Sequence, residues 1–400
     1  MGGKLSCVVV GGGLGGLSAA LALAQAGHTV TLLEQAARIE PIGYGIQLGP
    51  NVMPFFAGLG VLEPILARAH LPSAVQMVDA RSGRMIVPIP LGAAFRARFN
   101  HPYICIHRGD LHAILVAACE AEPGIRLRKG VTVTGYAQRG ARAVALSEAH
   151  GEIEGDVVIG ADGINSRLRA QMHPASEAQP IGYVAHRTIV PFDEAPDILR
   201  RDPVVMWAGE GFHVIYYPLP GYGMNLVGVF SVPEGEPVEK GAARRDQLLA
   251  RCADGHPELR AALGAMDFQS RWALADRKPL RGWSEGHTVL VGDAVHATFQ
   301  SLAQGACMAI EDGVILADCL DEAGTISDAL RAYEARRLVR TARVQLESRA
   351  LWSTYHLGGI AAEVRDAQFA ERNRDDVYDC LAWVWTAPER GPAQSRASAA

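Results

Sequence analysis

From Cys7 to Leu33 apolar runs alternate with glycine, and no Asp, Glu, Lys or Arg appears until Glu34 closes the segment. Cys7-Val8-Val9-Val10 is a short β-branched run of the kind a buried strand needs. An Ala/Leu-rich stretch to Gly27 has helical length and composition, and Thr29-Val30-Thr31-Leu32-Leu33 returns to strand character. Gly11, Gly13 and Gly16 stand at G-x-G-x-x-G spacing in the strand-to-helix turn. Gly11 turns the chain, Gly13 lets backbone approach a pyrophosphate, and Gly16 lets helix and strand pack closely. The helix N-terminus offers free N–H groups and partial positive charge, and Glu34 is placed to accept from a ribose hydroxyl. These elements in this order predict a bound adenine dinucleotide. They leave FAD and NAD both open.

Two later segments repeat the theme of a buried strand ending in a small-residue turn with one acid. They are Asp156-Val157-Val158-Ile159-Gly160-Ala161-Asp162-Gly163 and Thr288-Val289-Leu290-Val291-Gly292-Asp293-Ala294. Ala303 to Asp312 then opens a helix expected to continue to about Leu320. Residues 76–100 and 181–231 differ, because β-like runs such as Phe212–Tyr217 and Met224–Phe230 are punctuated by Pro and Gly, as in antiparallel sheets. Ser327 to about Gln345 reads as a long arginine-rich helix. This organisation predicts a discontinuous α/β cofactor domain over 1–75, 103–180 and 268–345. A substrate domain is inserted at 76–102 and 181–267, and a C-terminal helical segment and tail fill 346–400.

Composition narrows the class. The 400 residues are 49% apolar and 20% charged, with a net charge of −5, which fits a globular enzyme and gives no basic run for nucleic acid. The seven cysteines form no C-x-x-C pair, which argues for reduced thiols in a cytoplasm. No histidine spacing suggests a metal site. Residues 7–27 lack charge, yet their glycines make a poor membrane span, so no membrane segment is expected.

The set Gly11-x-Gly13-x-x-Gly16, Gly160-Ala161-Asp162-Gly163 and Gly292-Asp293 resembles the fingerprints of single-component aromatic flavoprotein hydroxylases of the p-hydroxybenzoate hydroxylase fold. Gly45-Ile46-Gln47-Leu48-Gly49-Pro50-Asn51, His107-Arg108-Gly109-Asp110 and Ala303–Asp312 resemble the branch of salicylate hydroxylase, 6-hydroxynicotinate 3-monooxygenase and 3-hydroxybenzoate 6-hydroxylase. The last is nearest, through Pro102-Tyr103, Trp207-Ala208-Gly209, His213 with Tyr217-Pro218-Leu219, Asp276-Arg277, Gln300, Arg340–Arg343 and Trp383-x-Trp385. The resemblance implies an FAD-binding Rossmann-like domain, an inserted mostly antiparallel β-sheet substrate domain and C-terminal helices. It also implies non-covalent FAD, with NADH or NADPH as a transient co-substrate. The activity implied is O2-dependent ring hydroxylation of a small hydroxylated aromatic acid through a flavin C4a-hydroperoxide. 3-Hydroxybenzoate to gentisate is the first reading, and salicylate or 6-hydroxynicotinate the alternatives. A dehydrogenase, an uncoupled flavin NADH oxidase and a redox-linked binding protein are readings of other classes.

On this resemblance Asp293 contacts the FAD ribose and Asp162 lies near the pyrophosphate and the nicotinamide route; each could instead be a turn or capping aspartate. Arg108 runs along the dinucleotide, a guanidinium being able to bind phosphate in bidentate fashion, or makes a surface ion pair. Gln304, Gly305 and Ala306 open a helix aimed at the flavin pyrimidine edge, where negative charge collects. His213 is the candidate base for the ring hydroxyl, because histidine titrates near neutrality; a hydrogen-bonded sheet histidine is the competing reading. Gln300 orients that hydroxyl, and Tyr103, Tyr217 and Gln47 are candidates to hold the ring or carboxylate or simply to pack. Ala297 replaces the family's usual proline, which is expected to loosen the loop beside the flavin. Trp383 and Trp385 are candidates for a homodimer interface or for packing within the chain.

Overall fold

The computed structural model describes residues 3–38, 43–232 and 239–390, so the end of the Ser/Ala/Arg-rich tail lies outside them. The valine run forms the strand Ser6–Val10 at the centre of a six-stranded sheet. Thr29–Glu34 and Val157–Gly160 flank it in parallel, followed outward by Ile125–Lys129 on one side and Thr288–Leu290 on the other. All three sequence segments that end in small-residue turns therefore finish at the same sheet edge, where ligands of open α/β sheets bind. Helix Leu14–Gln25 covers this sheet and crosses helix Gly305–Glu322. A Cβ on Gly313 would lie 2.6 Å from Ala19 N, so that crossing requires glycine.

The second sheet has seven strands, in the order Trp272–Asp276, Gln179–Val190, Gly223–Ser231, Phe212–Leu219, Val204–Gly209, Ala74–Asp79 and Met85–Pro90. It is antiparallel except where Val204–Gly209 pairs in parallel with Ala74–Asp79. The period of two sorts its faces. Phe212, Val214 and Tyr216 join a core beneath helices Gly241–Arg251 and Pro257–Ala265. Ile215 and Tyr217 face the other way, toward the cofactor sheet and the C-terminal helices. One boundary is corrected: Trp272–Asp276, assigned by sequence to the cofactor domain, is an edge strand of this sheet, paired to Gln179–Ala185.

The arginine-rich segment is one helix of 30 residues, Ile326–Tyr355, about 45 Å long at ~1.5 Å per residue. Helices Gly359–Ala370 and Arg374–Trp385 follow, the second opened by an Asn373/Asp376 capping box. Trp385 is spent inside the chain, edge-on to Phe95, Phe99 and Tyr103 at centroid distances of 5.1, 5.4 and 6.3 Å. Arg343 lies 3.9 Å above the Trp383 ring. Among the described residues no helix is long and apolar enough to cross a membrane, and no His/Cys/Asp/Glu group is arranged to hold a metal.

Candidate active site

The glycine turn is shaped by space. Gly11 has φ +107°, and a Cβ there would meet Ala161 O at 2.4 Å; on Gly16 it would meet Gly11 O at 1.9 Å. Gly13 faces open space and is the N-cap of Leu14–Gln25, whose first turn has no side-chain cap. Its N–H groups are thus available to an anion. Glu34 braces the turn, accepting from Gly12 N–H and Ala36 N–H, both at 2.7 Å.

From this turn a cavity of about 420 Å³ runs to the second sheet, between Gly13, Arg108, Asp293, Gly305, Ala306 and Arg187. Asp293 is open to the cavity but surrounded by protein mass, and desolvation raises its pKa although His296 and Arg108 oppose the shift. At the far end helix Gly305–Glu322 presents a second N-terminus with no side-chain cap. Two uncapped helix N-termini, a carboxylate between them and a cation alongside form a donor set that fits an extended dinucleotide. Gly13–Gly16 could hold its pyrophosphate, Asp293 a ribose hydroxyl, and Gly305–Ala306 an electron-rich ring edge. Gln304 does not reach this cavity with its side chain, which is buried against Asn51 in a reciprocal amide pair at 2.9 and 3.4 Å. Asp162 sits beside this cavity in the turn-and-capping arrangement that was its competing reading. Its Oδ2 accepts from Arg167 and Leu168 N–H at the start of a helix, and its neighbours Ala161 and Gly163 line the cavity instead.

A second cavity of about 790 Å³ adjoins the first, and Gln47, Ile215, Gln300 and Ala303 line both. At this junction Tyr103 Oη donates to Gln47 Oε1 at 2.8 Å, and Tyr217 lines the cofactor side. Burial holds both tyrosine pKa values well above the ordinary phenol range, so both hydroxyls stay protonated and can donate. Arg187, which the sequence did not single out, enters from strand Gln179–Val190. It sits 3.4 Å from Gln300 Oε1 and 5.9 Å from the Trp272 ring centre, and its buried Nε is unpartnered. Desolvation, with Arg108 nearby, lowers its pKa. Ala303 adopts φ 53°, ψ 37°, a left-handed conformation unusual for alanine.

Like Gln304 and Asp162, His213 is a sequence candidate that lines neither cavity. The register places it on the same strand face as Ile215 and Tyr217, but the C-terminal end of the long helix covers it. Its Nδ1 lies 2.8 Å from His356 Nε2, and Trp352 and Tyr355 enclose it at ring distances of 5.1 and 5.9 Å. Burial drives its pKa well down. It is held as a neutral ring between other rings, without the open path to a substrate that a base requires.

Comparison with known proteins accords with this geometry. Residues 4–348 match the FAD binding domain family. A 3-hydroxybenzoate 6-hydroxylase of Klebsiella oxytoca is 35% identical over 383 residues, covering 95% of this chain and 96% of that protein. The chain belongs to the FAD-dependent aromatic-ring hydroxylases. A 6-hydroxynicotinate 3-monooxygenase of Bordetella bronchiseptica is 36% identical, covering 86% of this hydroxylase and 91% of that protein. Among solved structures, Klebsiella pneumoniae HpxO complexed with FAD and uric acid superposes with a TM-score of 0.86. It is 25% identical, over 96% of this hydroxylase and 98% of that chain.

Behind helix Gly305–Glu322 the hydroxylase buries an ionic network. Adjacent acids Glu311 and Asp312, both 0% exposed, meet Arg337 of the long helix at 2.7 Å each, and Arg340 holds Glu311 at 3.0 Å. Asp312 also accepts from Gly292 N–H at 2.9 Å and contacts His296 Nε2 at 2.5 Å, while Asn51 donates to Glu311 at 2.8 Å. Despite burial the cations hold both carboxyl pKa values down. The network ties the Gly292-Asp293 turn to helix Gly305–Glu322. At Ala297, between them, the backbone takes the path a proline would take. Its φ −46° and ψ 136° are near those of proline, and Gln345 holds its carbonyl at 3.0 Å.

Proposed function

We propose that the hydroxylase adds a hydroxyl group to a small aromatic acid that already carries a ring hydroxyl, with 3-hydroxybenzoate to gentisate as the first reading. The observation that carries it is the junction where Gln47, Ile215, Gln300 and Ala303 line both cavities. A ring seated there lies against the flavin end of the cofactor cavity. The identity with 3-hydroxybenzoate 6-hydroxylases over almost the whole chain supports this substrate. 6-Hydroxynicotinate is the runner-up, and salicylate shares the same chemical features.

FAD, when bound, takes electrons from NAD(P)H and activates O2, so that one oxygen atom enters the ring and the other leaves as water. The chain's own residues position the ring. Tyr217 offers a protonated hydroxyl, Tyr103 donates to Gln47 and orients it, the Gln47 and Gln300 carbonyls accept from the substrate hydroxyl, and the Arg187 charge offsets negative charge on the acid. With His213 enclosed, Arg187 and these amides orient the substrate hydroxyl and carboxylate, and they do not replace the base that sequence reasoning placed at His213. The six buried cysteines and the exposed Cys380, all unpaired, support a cytoplasmic location.

The test is stoichiometric. Purified protein, yellow with flavin, is expected to convert 3-hydroxybenzoate to 2,5-dihydroxybenzoate with one NAD(P)H consumed per product. If 3-hydroxybenzoate, 6-hydroxynicotinate and salicylate all gave only hydrogen peroxide equal to NAD(P)H consumed, the protein would be an uncoupled oxidase instead.

A further inference from the structure

The larger cavity is far more spacious than a single-ring acid requires. Cavities of ~300–1,000 Å³ hold drug-sized ligands, and this one is about 790 Å³. It does not end at the junction. It continues between the sheet residues Met77, Val87 and Met206 and the helix residues Leu351, Phe369 and Leu381. Its wall is mostly apolar, and its charged members are already engaged. Glu347 pairs with Arg343 at 2.9 Å, Arg365 with Asp366 at 2.8 Å, and Arg372 lies 4.9 Å over the Phe369 ring. Arg187, by contrast, lines the cofactor cavity beyond the junction.

We propose that this apolar extension is a substrate subsite, and that the preferred substrate is a hydroxylated aromatic acid bearing an alkyl or other apolar substituent. The proposal rests on the hydroxylase reading above and refines its substrate class. Charge and free volume set the orientation. The carboxylate and ring hydroxyl meet Arg187, Gln300 and Gln47 at the junction, because, of the cations lining the extension, Arg365 is paired with Asp366 and Arg372 is exposed to solvent. The substituent then points away from the flavin, between the second sheet and the C-terminal helices. Water there would find few partners among methionine, leucine and valine side chains, whereas each methylene moved into such a space tightens binding about fourfold. Continuity with the cofactor cavity through shared walls distinguishes this space from an isolated packing defect.

The probes are 3-hydroxybenzoates and salicylates carrying methyl, propyl, butyl or hexyl chains at each open ring position. They are titrated into the FAD-loaded enzyme by calorimetry and, separately, scored for hydroxylated product by mass spectrometry. In at least one positional series Kd is expected to fall by about fourfold per methylene, reaching a hundredfold or more by hexyl. Leu351→Trp, which adds bulk to the extension away from the junction, is expected to abolish that gain while the unsubstituted acid binds as before. Leu351→Ala, which adds space, is expected to keep it. If no substituted acid binds more tightly than its parent at any position, or if Leu351→Trp leaves the hexyl gain intact, the subsite proposal is overturned. Parent acids that still give hydroxylated product would leave the hydroxylase reading standing in that event. Tight binding of the hexyl acids without product from any acid would instead support the subsite and sink the hydroxylase reading.

Discussion

At Gly16 a single methyl group is enough to test the cofactor turn, because the position has no room for a Cβ. Gly16→Ala is expected to yield folded protein with little bound FAD, read from the ratio of flavin to protein absorbance. Arg187 tests the other end. A hydrogen bond to a charged group is worth ~1.5–3 kcal/mol, so Arg187→Met is expected to raise KM for 3-hydroxybenzoate about 10- to 100-fold while the protein keeps its flavin. An unchanged KM would remove Arg187 from the substrate. The residues most legible in sequence were those whose type is forced by backbone geometry, namely Gly11 and Gly16. His213 was legible as far as its strand face. What covers that face comes from Trp352 and Tyr355, well over a hundred residues away, and no local pattern announces it. Arg187 escaped notice because a lone arginine on a strand reads as a solvent-facing residue until the opposing wall is known.

Among the elements, helix Gly305–Glu322 and the long helix behave as one unit through Arg337. Removing one member of a buried ion pair leaves an uncompensated charge, which typically costs ~3–5 kcal/mol. Arg337→Met is therefore expected to lose about that much stability in urea unfolding, with less loss in an Arg337→Met/Glu311→Gln double variant. Equal losses would mean that the pair is not coupled. Helix Gly305–Glu322 was anticipated nearly to its end, since small and apolar residues dominate it on both sides of Glu311-Asp312. The side-by-side acids Glu311-Asp312 in that apolar context, with Arg337 and Arg340 one turn apart downstream, carried a signal for the network that sequence reading left unused. The edge strand Trp272–Asp276 was misassigned for a different reason. Its partner Gln179–Ala185 is remote in sequence, and strand pairing is invisible without the fold.

Across the whole molecule, acid sensitivity follows from histidines buried as neutral rings. Burial takes His356 and His186 each down to about 4, with His213 lowered as well. Their unfolded pKa is ~6.5, so between about pH 6.5 and 4 the unfolded chain binds protons that the native protein refuses. Stability is thus full above pH 6.5 and falls with pH through that window, by up to ~1.4 kcal/mol per pH unit for each such histidine. Urea midpoints measured from pH 7.5 to 4.5 should show this slope, and His356→Phe should flatten it; an identical slope would place the acid response elsewhere. The seam between the two halves of the molecule carries a different tension at Ala303. A left-handed backbone costs a non-glycine residue roughly 1–2 kcal/mol, yet here a methyl group is kept on the wall common to both cavities. Under the proposed reading that methyl is a spacer between the ring and the flavin. Ala303→Gly should consequently melt no lower than the parent protein while releasing more hydrogen peroxide per NAD(P)H: a mutation that eases the fold and spoils the aim.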